Sequence, residues 1–83
     1  MALVLGAQVG DAFLVGRRKI TVASIDSPAQ VTLKRDDGKT FAVGSEEMTE
    51  VFRDVFIGIG PDFATWRLRL LFDAPRSLLI RRG

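Results

Sequence analysis

Thr65-Trp66-Arg67-Leu68-Arg69-Leu70-Leu71-Phe72-Asp73-Ala74-Pro75-Arg76-Ser77-Leu78-Leu79-Ile80-Arg81-Arg82-Gly83 is the stretch on which the reading of this chain turns. Trp66, Leu68, Leu70 and Phe72 alternate with Arg67, Arg69 and Leu71, the period of a strand with one buried and one solvated face. Trp66 therefore reads as core or interface rather than as a platform for a stacked base. Arg67 and Arg69 read as the solvated side. Ala74-Pro75 turns the chain, and Ser77 to Arg82 follows as a second strand with Leu78, Ile80 and Arg82 on one face and Leu79 and Arg81 on the other. Five arginines stand against one aspartate from residue 66 onward, leaving the first 65 residues at net −2 in a chain whose total is only +2. All five cations there are arginine, the side chain suited to phosphate forks and stacking on bases.

Outward from this stretch the chain alternates in the same way. Ala2 to Leu5 and Ala12 to Val15 are short apolar runs joined across Gly6 and Val9-Gly10-Asp11. Arg17-Arg18-Lys19 precedes Ile20 to Ile25, whose β-branched content favours a strand. Asp26-Ser27-Pro28 signals a turn before a strand from Gln30 to Leu33, and the Asp37-Gly38 pair marks a hairpin leading into Thr40 to Val43. These runs predict a β-meander. Ser45-Glu46-Glu47-Met48 predicts a single short helix, with Ser45 as N-cap, Met48, Val51 and Phe52 on one side, and acids before Arg53 in the order the helix dipole favours. Val55 to Ile59 returns to a strand pattern, which Gly58, Gly60 and Pro61 break.

At 83 residues the chain is one small domain, near the size at which a single core is barely sufficient. It has no cysteine and no histidine, which removes disulfides, thiolate and imidazole metal sites, and the commonest general base. With 47% apolar residues, association with a second copy is the remaining support, so a homodimer is expected. Without His or Cys no nucleophile–base pair can be assembled apart from Lys-dependent schemes, for which no motif is present, and Gly58 with Gly60 lacks the third glycine and following helix of a nucleotide loop. The expectation is a protein that is not an enzyme, with no cofactor, no metal and no small-molecule substrate. No apolar run approaches the roughly 18 residues of a membrane span and no leader pattern opens the chain, so no membrane partner and a cytoplasmic location are expected.

Arg67-Leu68-Arg69-Leu70, Asp73-Ala74-Pro75-Arg76 and Leu78-Leu79-Ile80-Arg81-Arg82 together resemble the last two strands of the CsrA/RsmA (carbon storage regulator) family of post-transcriptional regulators. Ala2-Leu3-Val4-Leu5 and Val9-Gly10-Asp11-Ala12-Phe13-Leu14-Val15-Gly16 are similar to its first two strands and the turn between them. The resemblance implies an all-β fold with one short helix, built as a small intertwined β-sheet or barrel homodimer. There the first strand of one subunit lies beside the last strand of the other, and that edge binds GGA-containing loops of mRNA or small RNA.

Carried over by position, Arg82 matches the principal RNA-contacting arginine. Ala74, Pro75 and Arg76 match the bend whose backbone reads bases. Leu78 and Ile80 match the aliphatic contacts beneath them, Leu5 matches a first-strand contact, and Arg81 and Gln8 complete the set. Two alignments of the middle are open. One makes Arg17 to Asp54 a helix-containing insertion. The other reads Ile20 to Met48 as the third to fifth strands and residues 55 to 83 as a partial repeat, which puts Gly44 and Ser45 where basic residues are expected. Ala7 and Gln8 stand where the family has a basic pair. The alternative to RNA binding is a protein-interaction or assembly module on the same small β-scaffold, with Arg81 and Arg82 only keeping an edge strand soluble.

Overall fold

The computed structural model describes residues 2–27, 29–60 and 68–83, with Ala2 and Leu68 described by their backbone alone. Nine strands occupy them: β1 (Ala2–Ala7), β2 (Ala12–Val15), β3 (Arg18–Ser27), β4 (Gln30–Arg35), β5 (Thr40–Gly44), β6 (Thr49–Phe52), β7 (Val55–Ile59), β8 (Leu68–Asp73) and β9 (Ile80–Arg82). They form two antiparallel sheets, one in the order β1-β8-β7-β6 and the other β5-β4-β3-β2-β9.

The period-2 pattern decides which face of each strand turns inward. Ile20 and Val22 of β3, Val31 and Leu33 of β4, Val43 of β5, Val55 and Ile57 of β7, and Leu70 and Phe72 of β8 are all buried. Phe13 of β2 and Phe72 of β8 come from different sheets and meet at 5.3 Å with ring planes tilted by 56°. The two sheets thus share one core, and no charged or polar residue is buried in it among the described residues.

The turn expected between the first two runs is present: the Asp11 amide donates to Gln8 O (3.0 Å) and the Gln8 amide to Asp11 Oδ2 (2.9 Å). Gly10, at φ 92°, supplies the left-handed residue this turn needs. The strands it joins do not pair with each other. β1 runs along β8, Leu3 opposite Phe72 and Leu5 opposite Leu70, while β2 pairs with β3 and β9. Alternation specifies a strand's inner face but not its neighbour, which is a tertiary choice.

The helix expected from Ser45 is corrected. No helix occurs among the described residues; Ser45 to Glu47 form a bend and Thr49–Phe52 is β6. The Ser45 amide is already bonded to Ala29 O (3.0 Å), extending the β4–β5 edge, so Ser45 does not act as a cap. Asp54, at φ 62°, then closes a two-residue hairpin with Phe52 opposite Val55, which favours strands on both sides. The segment expected as an insertion, Arg17 to Asp54, is built into both sheets. It supplies Ile20, Val22, Val31, Leu33, Val43 and Val51 to the core.

In the opening stretch, Trp66 and Arg67 lie outside the described residues, as does Pro28 of the earlier turn signal. The second strand is shorter than its pattern suggests: Leu78 donates its amide to Pro75 O (3.0 Å) in a turn, and ladder pairing begins at Ile80.

Phe13→Ala and Phe72→Ala are each expected to cost about 3–5 kcal/mol of stability. The double variant is expected to show a coupling of about 0.5–1.5 kcal/mol, the part belonging to the ring pair itself, measured by urea unfolding.

Candidate nucleic-acid interface

β9 is an edge strand of one sheet and β1 an edge strand of the other, and Arg82 joins them. Its Nη2 donates to the Gly6 carbonyl at 2.6 Å, and its Nη1 lies 3.7 Å from Asp11 Oδ2. The guanidinium carbon sits 5.5 Å from the centre of the Phe13 ring. Ring, carbonyl and carboxylate hold a planar fork in one orientation while the side chain stays 55% exposed. A preoriented, half-open guanidinium keeps donors for a base edge or a phosphate.

The other residues singled out by sequence are distributed along β9 and the bend before it. Arg81, opposite Leu14, and Arg76 are exposed, and their side chains make no hydrogen bond or ion pair among the described residues. Pro75 is exposed and Ala74 is buried. Leu78 is half-buried beside the β2–β3 turn, where a Cβ on Gly16 would come within 3.1 Å of its Cδ2. Ile80 is buried at 8% and belongs to the core rather than to an aliphatic surface beneath bases; Leu79, exposed at 67%, is the outward apolar residue of this strand. Leu5 is half-buried against the core, and Gln8 is exposed one residue beyond the end of β1.

Arg82, Leu5 and Gln8 are therefore brought to one end of β9, and Ala74, Pro75, Arg76 and Leu78 to the other. Sequence reading misses the Gly6 carbonyl, Asp11 and the Phe13 ring, the three groups that orient Arg82. Only the Phe13–Arg82 cross-strand register identifies the ring, and register is not visible in one sequence.

A second arginine group also ties the two sheets together. Arg35 donates from Nη1 to Val51 O at 2.7 Å, linking β4 to β6 across the two sheets, and from Nη2 to Asp37 Oδ2 at 2.5 Å. Arg18 forms a fork on Asp36 through Nε (2.8 Å to Oδ2) and Nη2 (2.7 Å to Oδ1). It also lies 4.9 Å from the Phe52 ring centre. These partners account for the cationic character of Arg18 and Arg35, so this group is a structural fastening.

Comparison with protein-family models, with curated proteins and with solved structures finds no match to this chain.

The hydrogen bond from Arg18 holds the Asp36 carboxyl below the usual carboxylate range, and that from Arg35 does the same, more strongly, for Asp37. A carboxyl depressed in the folded chain contributes stability that is complete above its unfolded value near about 4 and is lost as pH falls through its folded value. Stability is thus expected to drop on acidification below about pH 4. In urea unfolding at neutral and acid pH, Asp36→Asn and Asp37→Asn are expected to show a smaller pH-dependent loss than the parent chain.

Proposed function

We propose that this protein is an RNA-binding post-transcriptional regulator of the CsrA/RsmA kind that holds a single-stranded, GGA-containing loop along the β1/β9 edge. The observation that carries the reading is the Arg82 guanidinium, fixed across the end of β1 by Gly6 O yet half open, with exposed Arg81 on the same strand and exposed Arg76 in the bend before it.

The chemistry is that of single-strand recognition. Loop bases present their edges and faces to a protein, and guanine offers the O6/N7 acceptor pair that an arginine fork matches. Arg82 is the base- or phosphate-reading group, and Arg76 and Arg81 supply charge to the loop backbone. The backbone of Ala74-Pro75-Arg76 and the polar side chain of Gln8 lie at the two ends of the track. Covering an mRNA leader in this way blocks ribosome access. The resemblance assigns such an edge to two subunits. In this chain β1 and β9 already meet, so a homodimer is not needed to complete it.

Arg82→Ala is expected to weaken binding of a GGA hairpin by roughly 10- to 100-fold, the loss that goes with a charge-assisted hydrogen bond of about 1.5–3 kcal/mol. Arg82→Lys, which keeps the charge but not the fork, should fall between the two. Lys34→Ala, at an exposed position of β4, is expected to bind like the parent chain. Electrophoretic shift on variants with unchanged thermal midpoints reads this out. Binding that is absent, or equal in the parent and Arg82→Ala chains, would reject the RNA reading and leave the interaction-module alternative.

A further inference from the structure

β2, β3 and β4 form one antiparallel meander, and β6, β7 and β8 form another in the opposite sheet. Both open with a two-residue hairpin, Gly16-Arg17 between Val15 and Arg18, and Arg53-Asp54 between Phe52 and Val55. Each hairpin holds one residue at φ 62°, Gly16 at the first position of its turn and Asp54 at the second.

The sequences of the two halves superimpose at one constant offset without a gap. Val15 falls on Phe52, Ile20 on Ile57, Leu33 on Leu70, Asp36 on Asp73, Lys39 on Arg76, Phe41 on Leu78, Val43 on Ile80 and Ser45 on Arg82. The ladder registers follow the same offset: Val15 opposite Arg18 and Phe52 opposite Val55, Ile20 opposite Arg35 and Ile57 opposite Phe72, Val22 opposite Leu33 and Ile59 opposite Leu70. Burial agrees at part of the positions and departs at Phe13 with Glu50 and at Arg18 with Val55. Ile20 and Ile57, Leu33 and Leu70, and Val43 and Ile80 are buried pairs; Phe41 and Leu78 are both half-buried; Ala42 and Leu79 are both exposed. Residues 12–23 and 31–36 thus correspond in strand order and register to residues 49–60 and 68–73, and β1 precedes the first set.

The two sets differ in what the strand after them does. β9 leaves its own meander and joins β2 of the other sheet, which brings Arg82 to β1. β5 instead turns back on its own β4 across Asp36-Asp37-Gly38-Lys39, a tight turn closed by the Arg35 amide on Lys39 O (2.8 Å) and the Gly38 amide on Arg35 O (2.9 Å). Where β9 carries Arg81 and Arg82, β5 and its next residue carry Gly44 and Ser45. Where the bend before β9 reads Ala74-Pro75-Arg76, the turn before β5 reads Asp37-Gly38-Lys39.

We infer that the chain is a one-chain counterpart of a two-fold dimer with one armed edge and one disarmed edge, so that it binds one RNA loop per chain at β1/β9 and none at the equivalent β5 edge. The inference rests on the RNA reading above. In one polypeptide the two edges are free to diverge, which two identical subunits cannot do. The consequence is a monovalent regulator: a leader with two GGA loops recruits two separate chains and gains no avidity from a single one.

Native mass spectrometry and analytical ultracentrifugation of the full chain, alone and titrated with a GGA hairpin RNA, test this. The expected results are a monomeric mass of 9.1 kDa without RNA and one RNA per chain at saturation. An RNA carrying two such hairpins is expected to load two chains, with an affinity per loop within a few-fold of the single hairpin, where a bivalent protein gains roughly 100-fold or more. Gly44→Arg combined with Ser45→Arg is expected to leave the count at one, because β5 stays on β4. Two RNAs per chain, one RNA per pair of chains, or a dimeric mass without RNA would overturn the single-edge inference while leaving RNA binding intact. Absence of any binding would remove the RNA reading, and this inference with it.

Discussion

The packing of Phe13 against Phe72 is the contact on which the rest of the structure depends. A short chain without cysteine or histidine has no disulfide or imidazole-held metal to reinforce its core, so its two sheets are held by what they bury between them. The two rings come from β2 and β8, far apart in sequence, and every strand that matters for the candidate edge is placed by them: β9 is added to β2, and β1 to β8. Because β2 and β8 face each other, the edge strands they carry finish near one another, and Arg82 reaches the Gly6 carbonyl.

Arg35 and Arg82 both reach from one sheet to a carbonyl of the other, and they differ in how fully their guanidinium groups are engaged. Arg35 reaches the Val51 carbonyl and is also engaged by Asp37, Phe41 and Phe52. Arg82 reaches the Gly6 carbonyl with only a long contact to Asp11 and the face of Phe13 beside it. The same side chain is saturated in one place and partly open in the other. Counting charges does not distinguish the two; counting the partners of each guanidinium does.

The meander was legible in the sequence because Ile20 with Val22, Val31 with Leu33, and Leu70 with Phe72 alternate cleanly, and Asp37-Gly38 marks its hairpin. The acidic run at Glu46-Glu47 misleads because Met48, Val51 and Phe52 satisfy helical spacing over a window too short to separate it from the strand that Thr49 and Val51 support. Sheet exchange between β1 and β2 could not be read at all, since each strand's alternation is local while its partner is chosen by the assembled core. Arg82 was legible as a candidate, but its orienting groups were not. The correspondence of the two halves lies in ladder register, with Val22 opposite Leu33 as Ile59 is opposite Leu70, and register is not visible in one sequence.

The Arg82–Gly6 bond spans 76 residues of sequence. A contact of that range forms late, after the loop-closure entropy of so long a segment has been met by other pairings. The candidate RNA edge therefore does not exist in a nascent or partly folded chain: it assembles only when β1 and β9, which leave the ribosome far apart in time, dock on a finished core. Completion of the candidate edge is in this way tied to synthesis through β9 and to folding, so fragments ending before β9 carry β1 and most of the core strands but lack Arg81 and Arg82.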